Sequence, residues 1–391
     1  MTMLSARRRR RFADFAAEVD WLLVAAAAAL SLLGALVVWS ATRQSLADAG
    51  MNSSQYFVRH LTNLAVGMAL GFILSRFDSR MLRAYTPIIY GLSIIGLMAV
   101  LTPLGTTVNG AQNWIPLAPG FTVQPSEFTK VALVTAMAFL LADKGHHADS
   151  ETPPSDRDIS FVLAIMAIPL ALIMLEPDLG TVIVIGVTVI SVVAVSGAPT
   201  RWVLGMIASV VAVGVLAVSP VTPLQRYQLA RITCFTNPDA GTRSDCFQQI
   251  QSKVAVGAGG ISGQGLFHGQ QTQGRFVSFN YTDFVFSVVG EEMGLIGSLL
   301  VLVLLSIIIW RGLSIARLAQ DLFSRLVATG VVCWFAFQSF ENIGMNIGIM
   351  PITGVPLPFM SYGGSSMFAC WLGIGLLVNV HTATRHSVRR A

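Results

Sequence analysis

The chain has 391 residues, of which 54% are hydrophobic and only 12% charged, against about one quarter charged in soluble domains. That balance excludes an ordinary soluble globular protein. The net charge of +5 fits basic anchors beside anionic lipid and does not point to nucleic acid.

Residues 7–11 are all arginine, but Asp14, Glu18 and Asp20 separate them from the first apolar run, Trp21 to Ala41. That run is too long for a signal-peptide core, and the cleavage-like Ala47-Asp48-Ala49 lies too far downstream, so the run reads as a retained span. Apolar stretches predict ten membrane helices, at about 21–41, 58–75, 84–104, 126–142, 159–175, 178–197, 202–220, 284–310, 324–345 and 362–381. With the N-terminus in the cytoplasm, most of the 25 basic residues fall inside, among them Arg76, Arg80, Arg83, Lys144, Arg157, Arg201, Arg311, Arg317, Arg325 and Arg385. The expected fold is an all-α polytopic membrane protein, one domain over 1–391, with both termini cytoplasmic. It carries a basic N-terminal segment (1–20), a large external loop (221–283) between spans seven and eight, and a basic tail (382–391).

Pro125-Ser126-Glu127 reads as a helix start. Glu127 and Lys130 share a face of that helix and enter the membrane together, either as a neutralising structural pair or as a polar patch facing a cavity. Trp114, just upstream, suits a belt aromatic or a surface on which a sugar stacks. The linker at 142–158, with His146-His147, reads as a solvated cytoplasmic loop. Glu176-Pro-Asp178 lies at an external hairpin; it is either a plain turn or a pair of oxygen ligands for a divalent cation such as Mg or Mn.

In the long loop, Arg226, Arg231, Lys253 and Arg275 place positive charge on the outer face, suited to a pyrophosphate. Cys234 and Cys246 there form either a disulfide or two free thiols, whereas Cys333 and Cys370 sit in spans as packing residues. The Gly-rich run at 251–265 fits neither a Walker loop nor a dinucleotide fingerprint, so no nucleotide or organic cofactor is expected. It reads as a mobile surface loop or as flexible backbone near an anionic headgroup. The loop closes on Asp283, just before span eight, and Glu291 and Glu292 follow inside the span. Ionisable groups at such depth are functional candidates by default. Residues 340–366 combine prolines and glycines with apolar residues, which suggests a re-entrant or cavity-lining segment.

Gln124-Pro-Ser-Glu127, Glu176-Pro-Asp178, Tyr281-Thr-Asp-Phe284 with Gly290-Glu-Glu292, and Gly354-Val-Pro-Leu-Pro358 with Ser361-Tyr-Gly-Gly-Ser365 occur in that order. On these motifs nearly the whole chain resembles the SEDS family (shape, elongation, division and sporulation) of membrane-embedded peptidoglycan polymerases. Residues 345–358 and the short tail look more like its elongation members than its division members.

The resemblance implies ten spans, a substrate (lipid II, with a growing undecaprenyl-linked glycan), and a class B penicillin-binding transpeptidase as partner beside other elongation proteins. It implies the bacterial cytoplasmic membrane, with the active site facing outward. It also makes Asp283 the catalytic acid, with Glu127 and Lys130 functionally important. The Cys234/Cys246 pair is not part of that resemblance. A transporter of lipid-linked precursors is the competing reading, since broken helices and intramembrane charges suit it too.

Overall fold

A computed structural model describes residues 18–108, 111–118, 121–144, 153–218, 234 and 243–388. Ten apolar helices occupy the ten expected positions. They are α1 (Trp21–Asp48), α2 (Gln55–Ser75), α3 (Ser79–Val100), α4 (Pro125–Lys144), α5 (Asp156–Leu175), α6 (Leu179–Val195), α7 (Thr200–Val218), α10 (Val285–Leu318), α11 (Leu322–Ile347) and α12 (Gly364–Val388). All but α6 and α7 meet the length and hydropathy expected of a span. Arg226, Arg231 and His146-His147 lie outside the described residues.

Helix starts follow local chemistry. The Asp20 carboxylate caps α1 by accepting from Leu23 N at 3.2 Å and also pairs with Arg311 of α10 at 2.6 Å. Ser155 and Asp158 form a capping box on α5, and Asp156 pairs with Arg201 and Trp202 of α7. Asp178 and Asp321 cap α6 and α11.

The interior is built from α4, α11 and α12, whose spanning windows are 83, 72 and 83% buried, against 22% for α2 and 17% for α3. Leu92 and Ile95 of α3, and Leu299 and Val303 of α10, are exposed and would face lipid. Helix α2 packs closely against α12 around Trp371. Gly67-x-x-x-Gly71 supplies the small-residue stripe that lets backbones approach. A Cβ on Gly375 would lie 2.5 Å from the Gly71 carbonyl.

Two features depart from an uninterrupted helical bundle. The stretch expected as a plain loop between α3 and α4 holds a three-stranded antiparallel sheet, β1 (Thr106–Val108), β2 (Ala111–Ala118) and β3 (Phe121–Val123), in the order β1-β2-β3. The reason is visible in the residues between strands: Asn109-Gly110 and Pro119-Gly120 are hairpin formers. The second feature is a break in α10 at Gly294 (φ 62°, ψ −157°), a backbone conformation open essentially to glycine alone.

The Gly-rich run, expected as a mobile loop, repairs that break. Its first part, 251–258, closes helix α8 (Arg243–Ala258), and residues 259–265 continue from that end. The freed carbonyls of Glu291 and Glu292 accept from Gln264 N (2.9 Å) and Gly265 N (3.0 Å), while Leu295 N and Ile296 N donate to the carbonyls of Gly260 (2.9 Å) and Ile261 (3.2 Å). The backbone groups orphaned by the break are thereby paired, as a protein at membrane depth requires. Glycine composition here serves close docking: a Cβ on Gly259 would collide with the Gly290 carbonyl.

Candidate active site

Asp283 precedes α10 by two residues and is half-buried. Its backbone is held from two sides. The carbonyl accepts from Asn342 Nδ2 (2.8 Å) and Asn346 Nδ2 (3.1 Å) of α11. On the other side, Ser361 Oγ donates to the Thr282 carbonyl at 2.5 Å and Tyr362 N donates to the Tyr281 carbonyl at 2.9 Å. The carboxylate faces bare backbone: a Cβ on Gly354 (φ 78°) would lie 3.6 Å from Oδ2.

Gly354 belongs to the non-helical segment 348–363 between α11 and α12. Of the expected helix-breaking stretch 340–366, residues 348–363 are non-helical and partly buried: Val355, Leu357, Phe359 and Met360 are all at most 2% exposed. Its carbonyls are satisfied by α11 side chains, with Gln338 Nε2 donating to Pro356 O and Asn342 Nδ2 to Val355 O, both at 2.7 Å. Gln338, Asn342 and Asn346 recur every fourth residue, so one stripe of α11 carries the whole set.

The same stripe reaches Lys130. Its ammonium donates to Glu127 Oε1 (2.7 Å) and Gln338 Oε1 (2.9 Å), and lies 5.1 Å from the Trp334 ring centroid. This buried contact is what a neutralising structural pair requires. It neutralises charge at depth, and through Gln338 it fixes the segment against which Asp283 rests.

Glu291 and Glu292 act on the loop rather than in a cavity. Glu291 accepts from Gln271 N (2.6 Å), Thr272 N (2.9 Å) and Thr272 Oγ1 (2.6 Å), anchoring the short helix α9 (Gln270–Gln273). Glu292 accepts from Ser40 Oγ of α1 at 2.7 Å and from Gln273 Nε2 at 3.3 Å. Lys253 lies over Gly348, the left-handed C-cap of α11, where a cation suits the helix end. Arg275 pairs with Asp48 at the end of α1. Arg275 is thus paired with a carboxylate, whereas Lys253 sits against backbone at a helix end.

Trp114 stands half-buried on β2 opposite Thr106. The side-chain amide of its neighbour Asn113 lies 2.6 Å from the Glu176 carbonyl, and the rotamer that turns its nitrogen there donates to it, tying the sheet to the α5–α6 hairpin. Glu176 is 1% exposed, and burial, reinforced by the Asp178 charge, raises its carboxyl to about 8. Asp178 is engaged by the α6 cap and by Gln124 at 3.4 Å. Among the described residues no group of three or more His, Cys, Asp or Glu is placed to hold a metal ion. Cys234 and Cys246 form a disulfide.

Charge-based reading missed the uncharged part of the site. Gln338, Asn342 and Asn346 are all fully buried, and polar residues at helical spacing inside an apolar span were the available signal. Tyr56 of α2, Tyr281 and Tyr362 also went unread. Their rings meet beside Asp283, with centroids 4.7 to 6.0 Å apart. Burial raises Tyr281 to about 12, with contributions from Tyr56, Tyr362 and Asp283. Tyr362 is raised by burial and partly offset by its hydrogen bond to Arg59.

Residues 20–386 match the family model described as cell cycle protein, FtsW/RodA/SpoVE. The chain is 35% identical to the peptidoglycan glycosyltransferase MrdB of Escherichia coli K12, covering 90% of this chain and 91% of that protein. It is 36% identical to the stage V sporulation protein E of Bacillus subtilis, covering 94% and 98%. Among solved structures, a chain of a peptidoglycan synthase complex that coordinates polymerisation and crosslinking superposes with a TM-score of 0.76 at 29% identity, covering 94% of this chain and 98% of that one. RodA of Thermus thermophilus superposes at 0.67, also at 29% identity, over 93% and 96%. A family match over nearly the full length, on a fold that brings its motifs to one site, makes this chain a member of the FtsW/RodA/SpoVE (SEDS) family.

Proposed function

We propose that this multi-pass membrane protein is a peptidoglycan glycosyltransferase that polymerises lipid II into glycan strands on the outer face of the bacterial cytoplasmic membrane. Its partner would be a class B penicillin-binding transpeptidase. The observation that carries the reading is the position of Asp283, a half-buried acid whose backbone is pinned by α11 and by the 348–363 segment. The names of the family members support the reaction class, and the synthase complex supports a crosslinking partner. The loop charge distribution supports the outward orientation. Elongation rather than division is the assignment favoured by residues 345–358.

In this mechanism the Asp283 carboxylate takes the proton from the 4-hydroxyl of a GlcNAc unit as that oxygen attacks the anomeric carbon of a lipid-linked MurNAc. The new C–O bond forms as the bond to pyrophosphate breaks, and undecaprenyl pyrophosphate departs with the bonding pair. One carboxyl suffices because pyrophosphate needs no protonation to leave, unlike the alcohol expelled in glycoside hydrolysis. The asparagines hold the base in place, which is the protein's main contribution to reactive geometry.

The test is a gel-based polymerisation assay. Purified protein, alone and with its candidate transpeptidase, receives lipid II with and without a divalent cation. Long glycan supports the reading. Lipid II translocation in vesicles without any glycan would favour the transporter.

A further inference from the structure

Three tyrosines from distant parts of the chain converge next to the acid. Tyr56 begins α2, Tyr281 precedes α10, and Tyr362 ends the broken segment. Tyr56 is 4.7 Å from Tyr362 and 5.3 Å from Tyr281 between ring centroids, with interplanar angles of 55° and 63°. At such angles an edge of one ring meets the face of the next, so the three rings form one connected cluster. Each of the three is half-buried. Trp334, Phe335 and Phe359 form the contrasting case: they meet at similar centroid distances but are at most 1% exposed. The Tyr281 and Tyr56 phenols are hydrogen-bonded to each other, so the three half-buried rings form one joined aromatic patch with polar tips. Arg59, one turn along α2 from Tyr56, binds the Tyr362 phenol.

We propose that Tyr56, Tyr281 and Tyr362 form a carbohydrate platform that seats the hexosamine ring presenting the attacking hydroxyl to Asp283. The inference rests on the polymerase reading for the word "attacking", but not for saccharide binding itself. A pyranose has C–H faces and equatorial hydroxyls, which match an aromatic face with a polar tip. A polyprenyl chain would gain nothing from the hydroxyls. A pyrophosphate would be drawn to Arg59 rather than to the rings, and the comparison with undecaprenyl pyrophosphate below separates that source of affinity from the saccharide. Placement beside Asp283 selects the acceptor ring, because the general base must touch the hydroxyl it deprotonates.

The experiment compares equilibrium binding of lipid II and of undecaprenyl pyrophosphate, which lacks the saccharide, to full-length protein in detergent. Wild type should bind lipid II more tightly. Tyr56→Leu and Tyr281→Leu should each narrow that gap by about tenfold, equivalent to about 1.4 kcal/mol, and leave undecaprenyl pyrophosphate affinity unchanged. Tyr56→Phe keeps the ring and should retain most of the gap. In turnover, Tyr56→Leu should raise the lipid II concentration for half-maximal rate more than it lowers the maximal rate.

Loss of affinity for both ligands alike, an unchanged gap in both leucine variants, or no gap in wild type would overturn the platform. Should Tyr281→Leu fail to fold, Tyr56→Leu, which changes one half-exposed ring on α2, decides alone. A wild type that shows the gap but makes no glycan would sink the polymerase reading and keep the platform. One that polymerises with the gap intact in Tyr56→Leu would do the reverse.

Discussion

Lys130 is 2% exposed inside a span, and Glu127 is 1% exposed, so each would be an uncompensated buried charge without the other. Removing one member of such a pair costs about 3–5 kcal/mol, whereas removing both costs much less. Lys130→Met and Glu127→Gln should therefore each lower the melting temperature in detergent markedly, and the double variant should recover part of the loss. A double variant no better than either single one would contradict the pairing. Glu176 gives a pH signature. Its folded carboxyl is raised to about 8 from about 4.5, so the folded state binds the extra proton. The stability this provides is complete below pH 4.5 and is lost as pH rises through 8. Glu176→Gln should therefore gain in melting temperature over wild type as pH goes from 5 to 8, and a pH-independent difference would refute the assignment. Residues of this kind were legible in the sequence because charges are rare in an apolar chain. What each charge already binds was not legible: Lys253 and Arg275 look like free cations until Gly348 and Asp48 are seen beside them.

The Gly-rich run and the break in α10 are one device at the level of elements. Neither is complete alone, since each satisfies the other's backbone groups. At Gly294, φ is 62° and a Cβ would lie 2.6 Å from the Ile261 carbonyl oxygen. Gly294→Ala should destabilise the protein by more than about 1–3 kcal/mol, combining backbone strain with the clash. Gly257 is the control. It is helical in α8, and a Cβ there meets nothing within 4 Å, so Gly257→Ala should be neutral or stabilising by about 0.5–1 kcal/mol. Thermal unfolding in detergent reads both, and equal losses would contradict the splint. Hydrophobic runs located all ten helices, because the bilayer sets their length. The docking of 259–265 was hidden, because glycine composition signals both mobility and close approach, and only the partner carbonyls decide between them.

The whole molecule combines a lipid-facing shell with a polar seam running from Lys130 along α11 to Asp283. That seam joins residues more than 200 positions apart, which is why motif order in the sequence pointed to the site without describing it. Sidedness follows from the basic loops, and it predicts labelling. Asn52 and Arg157 are both exposed, on opposite sides of the expected topology. Asn52→Cys in intact cells should react with a membrane-impermeant maleimide, whereas Arg157→Cys should react only after permeabilisation. The reverse pattern would invert the protein and put Asp283 on the wrong face for lipid II polymerisation.

The central claim is that Asp283 performs the chemistry. The most direct measurement is the rate of glycan formation from lipid II by Asp283→Asn, beside wild type, in protein whose melting temperature and transpeptidase binding match. The account predicts a fall of about 10²–10⁴-fold, the contribution of a general base, with folding and partner binding unchanged. Polymerisation by the variant at the wild-type rate would contradict it.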